Sequence, residues 1–399
     1  MLGICGIAAE SAPDAQPGIL LEPARRGIPS HGNHPAACQE NSKPSGHRAI
    51  GDREFMCAAA SKVVASETGA SEAAAPNAVV DGVIVLEDGL ALTHGGRVAP
   101  VEIAWRLQGL SGPVVAAMGG ISSGRIVCDG PDAPGWWNEL AGPGRALDSE
   151  RFRVLGIDFL GGSHDSSGPA QGERFPSVSS YDQASILRRV LDHLGVVELA
   201  ACIGASYGGM VALAFAERFP DRLRQAVVIS AAHRTHPMST AWRSVQRAIV
   251  RYALAQGEGP RGLVLARALA MATYRSAREF EERFAGAAER GPDGFRFPVE
   301  SYLLARGEDY ATRYRPESFV CLSESIDLHR IDPAGVHVPT TLVGVIEDQL
   351  VPVADMRALR DALGGGARLV EISSSYGHDA FLKEKEVLGG VIAQALADT

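Results

Sequence analysis

The apolar positions of this chain fall into two kinds of segment. Two early stretches, VVDGVIVLE and VAPVEIAWRL, alternate apolar with polar residues and flank the turn signal His94-Gly95-Gly96. Period-two alternation around a turn predicts a pair of antiparallel strands. Further along, the apolar runs are short and unbroken: PVVAAM, FRVLGIDF, LAACIGA, LRQAVVIS and PTTLVGVI. Such runs, bounded by glycine and proline, predict strands buried on both faces of a mostly parallel sheet.

Helical patterns separate these runs, as in SYDQASILRRVLDHLG and YGGMVALAFAERFP. Alternating strands and helices predict a doubly wound α/β domain. Residues 240–318 interrupt this order with a helical pattern that is rich in Arg, Ala and Leu and shows no strand signal. We predict that this segment forms a helical cap over the carboxyl ends of the strands, where active sites of open α/β sheets lie.

The domain organisation follows from these patterns. Residues 1–75 are rich in Ala, Ser, Gly and Pro without a sustained period, and we interpret them as a disordered extension. The α/β core then comprises residues 76–239 and 319–399, with the cap inserted at 240–318. The opening MLGICGIAAESAP has no basic segment and reaches Glu10 early, so it is a poor signal peptide, and a cytoplasmic location is expected.

Composition and charge narrow the function classes. The 399 residues carry 38 basic and 47 acidic side chains, a net charge of −9, which does not favour binding to nucleic acid or to an anionic membrane. The six cysteines are scattered without a CxxC pair, which argues against a zinc site and a disulfide framework. We expect small-molecule substrates and no metal, and a homodimer remains open.

The most specific motif is the sequence Gly204-Ala205-Ser206-Tyr207-Gly208. It follows the apolar run LAACI and leads into the helical run MVALAFAERFP. This is the setting of a nucleophile elbow, in which a serine occupies a strained strand-to-helix turn and glycines leave room for neighbouring backbone. A glycine-rich turn alone would explain the glycines, but the motif and its context together favour Ser206 as a nucleophile.

A nucleophilic serine needs a base, and the base needs an acid that orients it. In the α/β-hydrolase fold these groups follow one another along the chain as Ser, acid and His. Asp348 follows the run PTTLVGVI, with Glu347 beside it as a competing acid, and His378 precedes the last helical stretch. We therefore predict an α/β-hydrolase fold with the triad Ser206, Asp348 and His378.

The same chemistry requires two backbone N–H groups that stabilise an oxyanion. One belongs to the residue after the nucleophile, here Tyr207, and the other to a loop after an earlier strand. The loop Met118-Gly119-Gly120-Ile121-Ser122 follows PVVAAM, and its glycines allow close approach of backbone to a ligand. We assign the second N–H group to Ile121.

Several segments together resemble the homoserine O-acyltransferase family of α/β-hydrolase enzymes. They read GWW from Gly135, GPG from Gly142, IDFLGGS from Ile157, GASYGGM from Gly204, FRFPVESYL from Phe295 and YGHDAFL from Tyr376. The resemblance extends from about residue 80 to the end of the chain. It implies a ping-pong reaction, in which an acyl group passes from acyl-CoA to Ser206 and then to the hydroxyl of L-homoserine, in methionine biosynthesis. Acyl-CoA is then a co-substrate, and no permanently bound cofactor is implied.

The resemblance also implies how the amino acid is held. Arg267, in the cap, stands where the family has an arginine that pairs with the substrate carboxylate, and Asp379 would meet the ammonium group. A zwitterion requires such a fixed cation and fixed anion. The alternatives are a solvated helix position for Arg267 and a helix N-cap for Asp379.

Two positions bear on the acyl donor. Members of the family that use succinyl-CoA often carry Arg two residues after the triad acid, whereas this chain has Leu350, as members that use acetyl-CoA do. Against this, the segment AWRSVQR from Ala241 resembles the serine O-succinyltransferase branch and places Arg243 where other members have a neutral residue. A buried succinyl carboxylate needs a nearby cation, so we slightly prefer succinyl over acetyl.

Three alternatives to a homoserine acyltransferase remain open at this level. The acceptor could be serine, or water in an esterase that uses the same triad. A binding protein without catalysis is the third alternative. Arg267 and Asp379 favour an amino-acid acceptor, because a simple esterase has no need of them.

Overall fold

The structure is a computed structural model that describes residues 78–292 and 294–397. The predicted extension, residues 1–75, lies outside these ranges. In chain order the strands are β1 (Val79–Leu86), β2 (Leu90–Ala91), β3 (Arg97–Val98), β4 (Val101–Gln108), β5 (Val114–Met118), β6 (Ala141–Gly142), β7 (Leu147–Asp148), β8 (Arg153–Ile157), β9 (Ala201–Ala205), β10 (Ala226–Ile229), β11 (Glu289–Gly291), β12 (Gly294–Arg296), β13 (Thr340–Val345) and β14 (Ala367–Ile372).

Helices lie between and after these strands. They are α1 (Ser180–His193), α2 (Tyr207–Arg218), α3 (Pro237–Ala255), α4 (Gly259–Tyr274), α5 (Ala277–Phe284), α6 (Pro298–Ala311), α7 (Pro316–Leu328), α8 (Val353–Ala362) and α9 (Lys385–Ala395). None of the helices in the described ranges is both long enough and apolar enough to cross a membrane.

Eight of the strands form one sheet in the order β1-β4-β8-β5-β9-β10-β13-β14. Strand β4 runs antiparallel to both β1 and β8, and the remaining neighbours are parallel. The predicted antiparallel pair is therefore present, with Val79 opposite Gln108 and Leu86 opposite Val101. The mostly parallel sheet predicted from the apolar runs is confirmed.

The unbroken apolar runs form the centre of the sheet because both of its faces are covered. All residues of β5, β9 and β10 are buried. Successive side chains of a strand point to opposite faces, so one run contributes to two separate cores. On one face Ala116 and Cys202 pack with residues of α1, α2 and α8, and on the other Val115 and Ile203 pack with residues of α9.

Helix α1 shows why the polar positions matter as well. Ser179 caps its first turn by accepting a hydrogen bond from the Asp182 N–H, and the Asp182 carboxylate accepts one from the Ser179 N–H. This capping box satisfies two of the amides that a helix start leaves without acceptors. Its apolar face, including Ile186, Leu187 and Val190, is fully buried against the sheet.

Helices α3 to α7 lie between β10 and β13, from Pro237 to Leu328, and include the segment 240–318 that was predicted as a cap. The prediction that this region has no strand was wrong, since β11 and β12 form a small antiparallel hairpin. Its three-residue strands pair with each other in a two-stranded sheet and are mostly exposed, so they lack the apolar run that identifies a buried strand. Strand β14 was also missed, because its partly exposed residues, as an edge strand, form no unbroken apolar run.

Candidate active site

Ser206 stands on the sharp turn between β9 and α2. Its backbone has φ 54° and ψ −122°, and its N–H donates to the Ile229 carbonyl at 2.9 Å. The flanking glycines are required, because a Cβ on Gly204 would lie 2.2 Å from the Gly208 carbonyl oxygen. A Cβ on Gly208 would lie 2.2 Å from the Met118 oxygen. The turn therefore holds the serine side chain at the carboxyl edge of the sheet in a strained conformation.

His378 connects Ser206 to Asp348. The His378 Nε2 atom lies 2.8 Å from the Ser206 Oγ, and Nδ1 lies 2.7 Å from Asp348 Oδ2. His378 belongs to the 3-10 turn Gly377–Leu382 after β14, and Asp348 follows β13. Burial alone would lower the pKa of His378, but the Asp348 carboxylate outweighs it and raises this pKa above its ordinary value. The structure thus brings the three predicted residues into one hydrogen-bonded chain.

The two candidate acids have different partners. The second oxygen of Asp348 accepts hydrogen bonds from the Leu350 and Val351 N–H groups, at 2.8 and 3.0 Å, which fix the carboxylate toward His378. The Glu347 carboxylate instead accepts from the Ser373 hydroxyl and the Ser374 N–H. Burial acts to raise the pKa of Glu347, but these hydrogen bonds lower it. Of the two acids, Asp348 is therefore the one that hydrogen-bonds to the imidazole.

The loop assigned to the oxyanion lies beside the nucleophile. Tyr207 is the first residue of α2, so its N–H is one of the first-turn amides that have no acceptor within the helix. Ile121 borders the same cavity as Ser206. Its carbonyl accepts a hydrogen bond from the Tyr314 hydroxyl at 2.9 Å, so a cap residue holds this peptide in place. Both predicted N–H donors therefore belong to residues at the nucleophile.

A cavity in front of Ser206 is enclosed by the sheet edge and the cap. The residues that line it are Ile121, Ser206, Met210, Ser230, Arg234, Thr235, His236, Arg243, Gln246, Thr273, Tyr274, Phe319, Ser323, Ile326, Leu350, Val351, Asp355 and His378. Leu350 and Arg243, the two positions singled out for donor choice, both belong to this wall. Within the described ranges, no group of three or more His, Cys, Asp and Glu side chains is arranged to hold a metal ion.

Arg243 is not a free cation, which sequence reasoning did not foresee. Its Nε and Nη2 atoms donate to Asp327 at 2.9 and 2.7 Å, and Arg247 pairs with the other oxygen of Asp327. All three side chains are largely buried. Two guanidinium groups share one carboxylate, so this Arg243–Asp327–Arg247 cluster has a net charge of +1 beside the cavity.

Arg267 lies one layer behind the cavity wall. Its guanidinium packs over the rings of Tyr274 and Tyr310, at 5.0 and 4.6 Å from their centroids, and donates to the Tyr274 hydroxyl at 3.3 Å. Among the described residues it forms no ion pair, although it is mostly shielded from solvent. Tyr274 itself borders the cavity, and its ring centroid lies 5.8 Å from that of His378. Arg267 is therefore not a solvated helix residue.

Asp379 has a partner that the sequence reasoning missed. Arg275 donates from Nε to Asp379 Oδ2 at 3.0 Å, and its Nη1 atom donates to Glu279. Asp379 is buried inside the 3-10 turn after His378, so it is not the N-cap of a helix. The structure therefore places this carboxylate in an ion pair behind His378, rather than leaving it as an unpaired anion.

Tyr274, Tyr314, Asp327 and Arg275 are the site residues that sequence reasoning missed. Each acts through a contact with a residue that is distant in sequence or on another turn of the cap. Of these four residues, Tyr274 and Arg275 could have been identified from the sequence. They adjoin each other at the end of α4, the helix that carries the predicted site residue Arg267.

The comparisons with known proteins agree with this geometry. Residues 130–385 match the family model described as the alpha/beta hydrolase fold. The chain is 40% identical over 335 residues to a homoserine O-succinyltransferase from Xanthomonas campestris, covering 83% of this chain and 88% of that protein. It is 33% identical to a homoserine O-acetyltransferase from Clavibacter michiganensis, covering 80% and 93%. It is also 33% identical to an L-serine/homoserine O-acetyltransferase from Streptomyces lavendulae, covering 79% and 96%.

Solved structures support the fold. A homoserine O-acetyltransferase from Bacillus anthracis superposes with a TM-score of 0.74 at 18% identity, covering 80% of this chain and 97% of that one. An esterase superposes almost as well, with a TM-score of 0.73 at 19% identity, covering 80% and 100%. The fold therefore does not by itself distinguish acyl transfer to an alcohol from acyl transfer to water.

Proposed function

Because the chain belongs to the homoserine O-acyltransferase family of α/β-hydrolase-fold enzymes, we propose that it transfers an acyl group from acyl-CoA to the hydroxyl of L-homoserine. The observation that carries this proposal is the chain of hydrogen bonds from Ser206 through His378 to Asp348, at 2.8 and 2.7 Å. It provides a nucleophile, a base and an orienting acid in contact with one another.

The reaction proceeds in two halves. In the first, Ser206 Oγ attacks the thioester carbonyl carbon while His378 Nε2 accepts its proton. The carbon–sulfur bond then breaks, and the CoA sulfur leaves as a thiol with that proton. In the second half, the homoserine hydroxyl attacks the acyl-Ser206 carbonyl, His378 accepts the hydroxyl proton, and Ser206 recovers it as the ester bond breaks. The N–H groups of Tyr207 and Ile121 stabilise the oxyanion in both halves.

For the acceptor, we propose that Arg267 pairs with the amino-acid carboxylate. This assignment is supported by a shielded guanidinium that has no carboxylate partner among the described residues and that contacts Tyr274, a residue of the cavity wall. Asp379, already paired with Arg275, would then act on the ammonium group through its remaining oxygen. A buried cation without a counter-ion costs free energy, which a bound carboxylate would offset.

For the donor, we propose a slight preference for succinyl-CoA. The proposal is supported by the net charge of +1 on the Arg243–Asp327–Arg247 cluster at the cavity wall. Leu350 leaves that wall apolar at one point, which suits acetyl as well. Arg243→Ala is expected to lower the ratio of succinyl-CoA use to acetyl-CoA use about tenfold, as the loss of a charge-assisted hydrogen bond predicts. An unchanged ratio would leave acetyl-CoA as the better assignment.

Four parallel reactions test the function directly. Homoserine or serine is incubated with succinyl-CoA or acetyl-CoA, and the products are identified by mass spectrometry. We expect O-succinylhomoserine to dominate, with Ser206→Ala as the inactive control. A dominant O-acylserine would make the protein a serine acyltransferase, an alternative supported by the relative named for both acceptors. Release of free acid without ester would make it a hydrolase.

A further inference from the structure

Ser230 shares an unusual backbone conformation with the nucleophile. Among the described residues, Ser206 and Ser230 are the two non-glycine residues with positive φ, at 54° and 49°. A side chain held in the left-handed region costs free energy, and such strain is concentrated at functional sites. Nothing in the proposed acyl-transfer steps uses Ser230, so its conformation requires a separate explanation.

Ser230 stands next to Ser206 at the sheet edge. Strands β9 and β10 are parallel neighbours with Ala205 opposite Ile229, and Ser206 and Ser230 each follow directly after that pair. Neighbouring strands lie ~4.8 Å apart. The backbone between the serines is tied on both sides, since the Ser206 N–H donates to Ile229 at 2.9 Å and the Ser230 N–H to Val343 at 3.0 Å. Ser230 is therefore held rigidly beside the nucleophile.

The hydroxyl of Ser230 has no hydrogen-bond partner among the described residues. The residue is 1% exposed, its Oγ is buried, and it borders the same cavity as Ser206. A buried hydroxyl without a partner is unfavourable, so native structures rarely retain one without a role. A donor that is rigid, strained and unpaired at the wall of a substrate cavity is suited to bind a polar atom of the substrate.

The surroundings of Ser230 indicate that its hydroxyl contacts the acyl donor rather than the amino-acid acceptor. The cavity that it borders is also lined by Arg243 and Gln246, both buried. Arg243 brings the net positive charge of its cluster with Asp327 and Arg247. Arg267, the proposed partner of the amino-acid carboxylate, is not among the residues that line this cavity and instead contacts Tyr274. A positively charged wall with neutral hydrogen-bond donors is complementary to a carboxylate.

The length of the acyl chain is comparable with the spacing between the two strands. In an ester of a four-carbon dicarboxylic acid on Ser206 Oγ, the free carboxylate lies about 5 Å from that oxygen when extended. An adjacent strand position lies at a similar distance. An acetyl group has no polar atom at this distance.

We propose that Ser230 is a specificity-determining residue for the acyl donor, and that its hydroxyl donates a hydrogen bond to the distal carboxylate of a dicarboxylic acyl group on Ser206. This inference rests on the proposed acyl-Ser206 chemistry, but not on the identity of the acceptor. It assigns donor choice to a residue of the sheet edge in addition to the cap arginine Arg243.

Acylation of Ser206 without any acceptor tests the inference. The burst of free CoA and the mass of the acyl-enzyme are measured for succinyl-CoA and acetyl-CoA. In Ser230→Ala, the ratio of the second-order rate constant of acylation by succinyl-CoA to that by acetyl-CoA is expected to fall about tenfold or more, since a hydrogen bond to a charged group is lost. Ser230→Gly also lacks the hydroxyl but relieves the backbone strain, and it is expected to lower the ratio equally.

A matched control is Ser318→Ala. Ser318 is fully buried, and its hydroxyl donates to the Gly162 carbonyl at 2.8 Å instead of bordering the cavity, so its donor ratio is expected to equal that of the wild type. An unchanged ratio in both Ser230 variants would overturn the inference, as would a loss in Ser230→Ala that Ser230→Gly restores. Wild-type protein that is acylated by acetyl-CoA but not by succinyl-CoA would also overturn it. Acylation of Ser206 without transfer to homoserine would contradict the proposed function. The ratio of acylation by succinyl-CoA to acylation by acetyl-CoA could still be measured in that case.

Discussion

At the carboxyl edge of the sheet, the reactive groups stand on turns whose backbone is fixed by neighbouring strands. Ser206 follows β9, Asp348 follows β13 and His378 follows β14. In the cap, by contrast, Arg243, Arg267 and Tyr314 belong to or follow helices that pack on one another, and they reach the site through side-chain contacts. We therefore propose that the sheet edge supplies the reacting groups and part of the recognition, through Ser230 and Asp379, whereas the cap contributes recognition and positioning only.

The largest effect is expected from removing the nucleophile. Ser206→Ala should lower acyl transfer by a factor on the order of 10⁶, the size of the loss when a triad serine is removed. The melting temperature should equal or exceed that of the wild type, because alanine removes no packing. Free CoA release measured with each donor provides the check. Turnover at the wild-type rate would show that the sheet edge does not supply the nucleophile.

Asp348→Asn should cost about 10⁴ in turnover, because the imidazole loses the group that selects its tautomer and orientation. The pH profile should change too. His378 must be neutral to accept a proton, and Asp348 holds the pKa of His378 above its ordinary value. Removing the carboxylate lowers that pKa, so the acidic limb of kcat/KM should move to lower pH. Glu347→Gln is the control, and a larger loss in that variant would contradict the assignment of the acid.

A cap residue should affect one half-reaction only. Arg267→Ala should raise the KM for homoserine about tenfold or more, since a charge-assisted pair is lost, and should spare the burst of CoA that reports acylation. Arg261 is an exposed arginine on the same helix, and Arg261→Ala is the matched control. If Arg267→Ala slowed the burst of CoA as strongly as it slowed use of homoserine, the assignment of Arg267 to recognition of the acceptor would be contradicted.

The smallest effect tests positioning from the cap. Tyr314→Phe removes the hydrogen bond to the Ile121 carbonyl and should lower the rate of acylation roughly fivefold, the equivalent of about 1 kcal/mol. Tyr310 stacks on Tyr314, and its hydroxyl is buried without a partner among the described residues.

Tyr310→Phe is therefore the matched control for Tyr314→Phe, and it should leave the acylation rate near that of the wild type. Rates are compared by stopped-flow detection of free CoA, with a melting curve for each variant. Equal slowing in both variants would indicate a general loss of cap packing instead of a specific role for the Tyr314 hydroxyl.

The local sequence determined the parts of the protein that short-range rules govern. Unbroken apolar runs predict buried strands, because both faces of the sheet are covered. The motif around Ser206 predicts a nucleophile elbow, because only glycine fits at positions 204 and 208. The order Ser, acid, His then pointed to residues that the structure brings into contact.

Only the tertiary structure decided which charges are paired and which hydroxyls are free. The sequence does not reveal that Arg243 shares the Asp327 carboxylate or that Arg275 pairs with Asp379, since these partners are 84 and 104 residues apart. Ser230 lacked any motif, because its left-handed backbone and unpaired hydroxyl exist only where β10 ends beside β9. Electrostatic pairing and burial depend on distances across the fold, whereas strand, turn and helix patterns depend on neighbours along the chain.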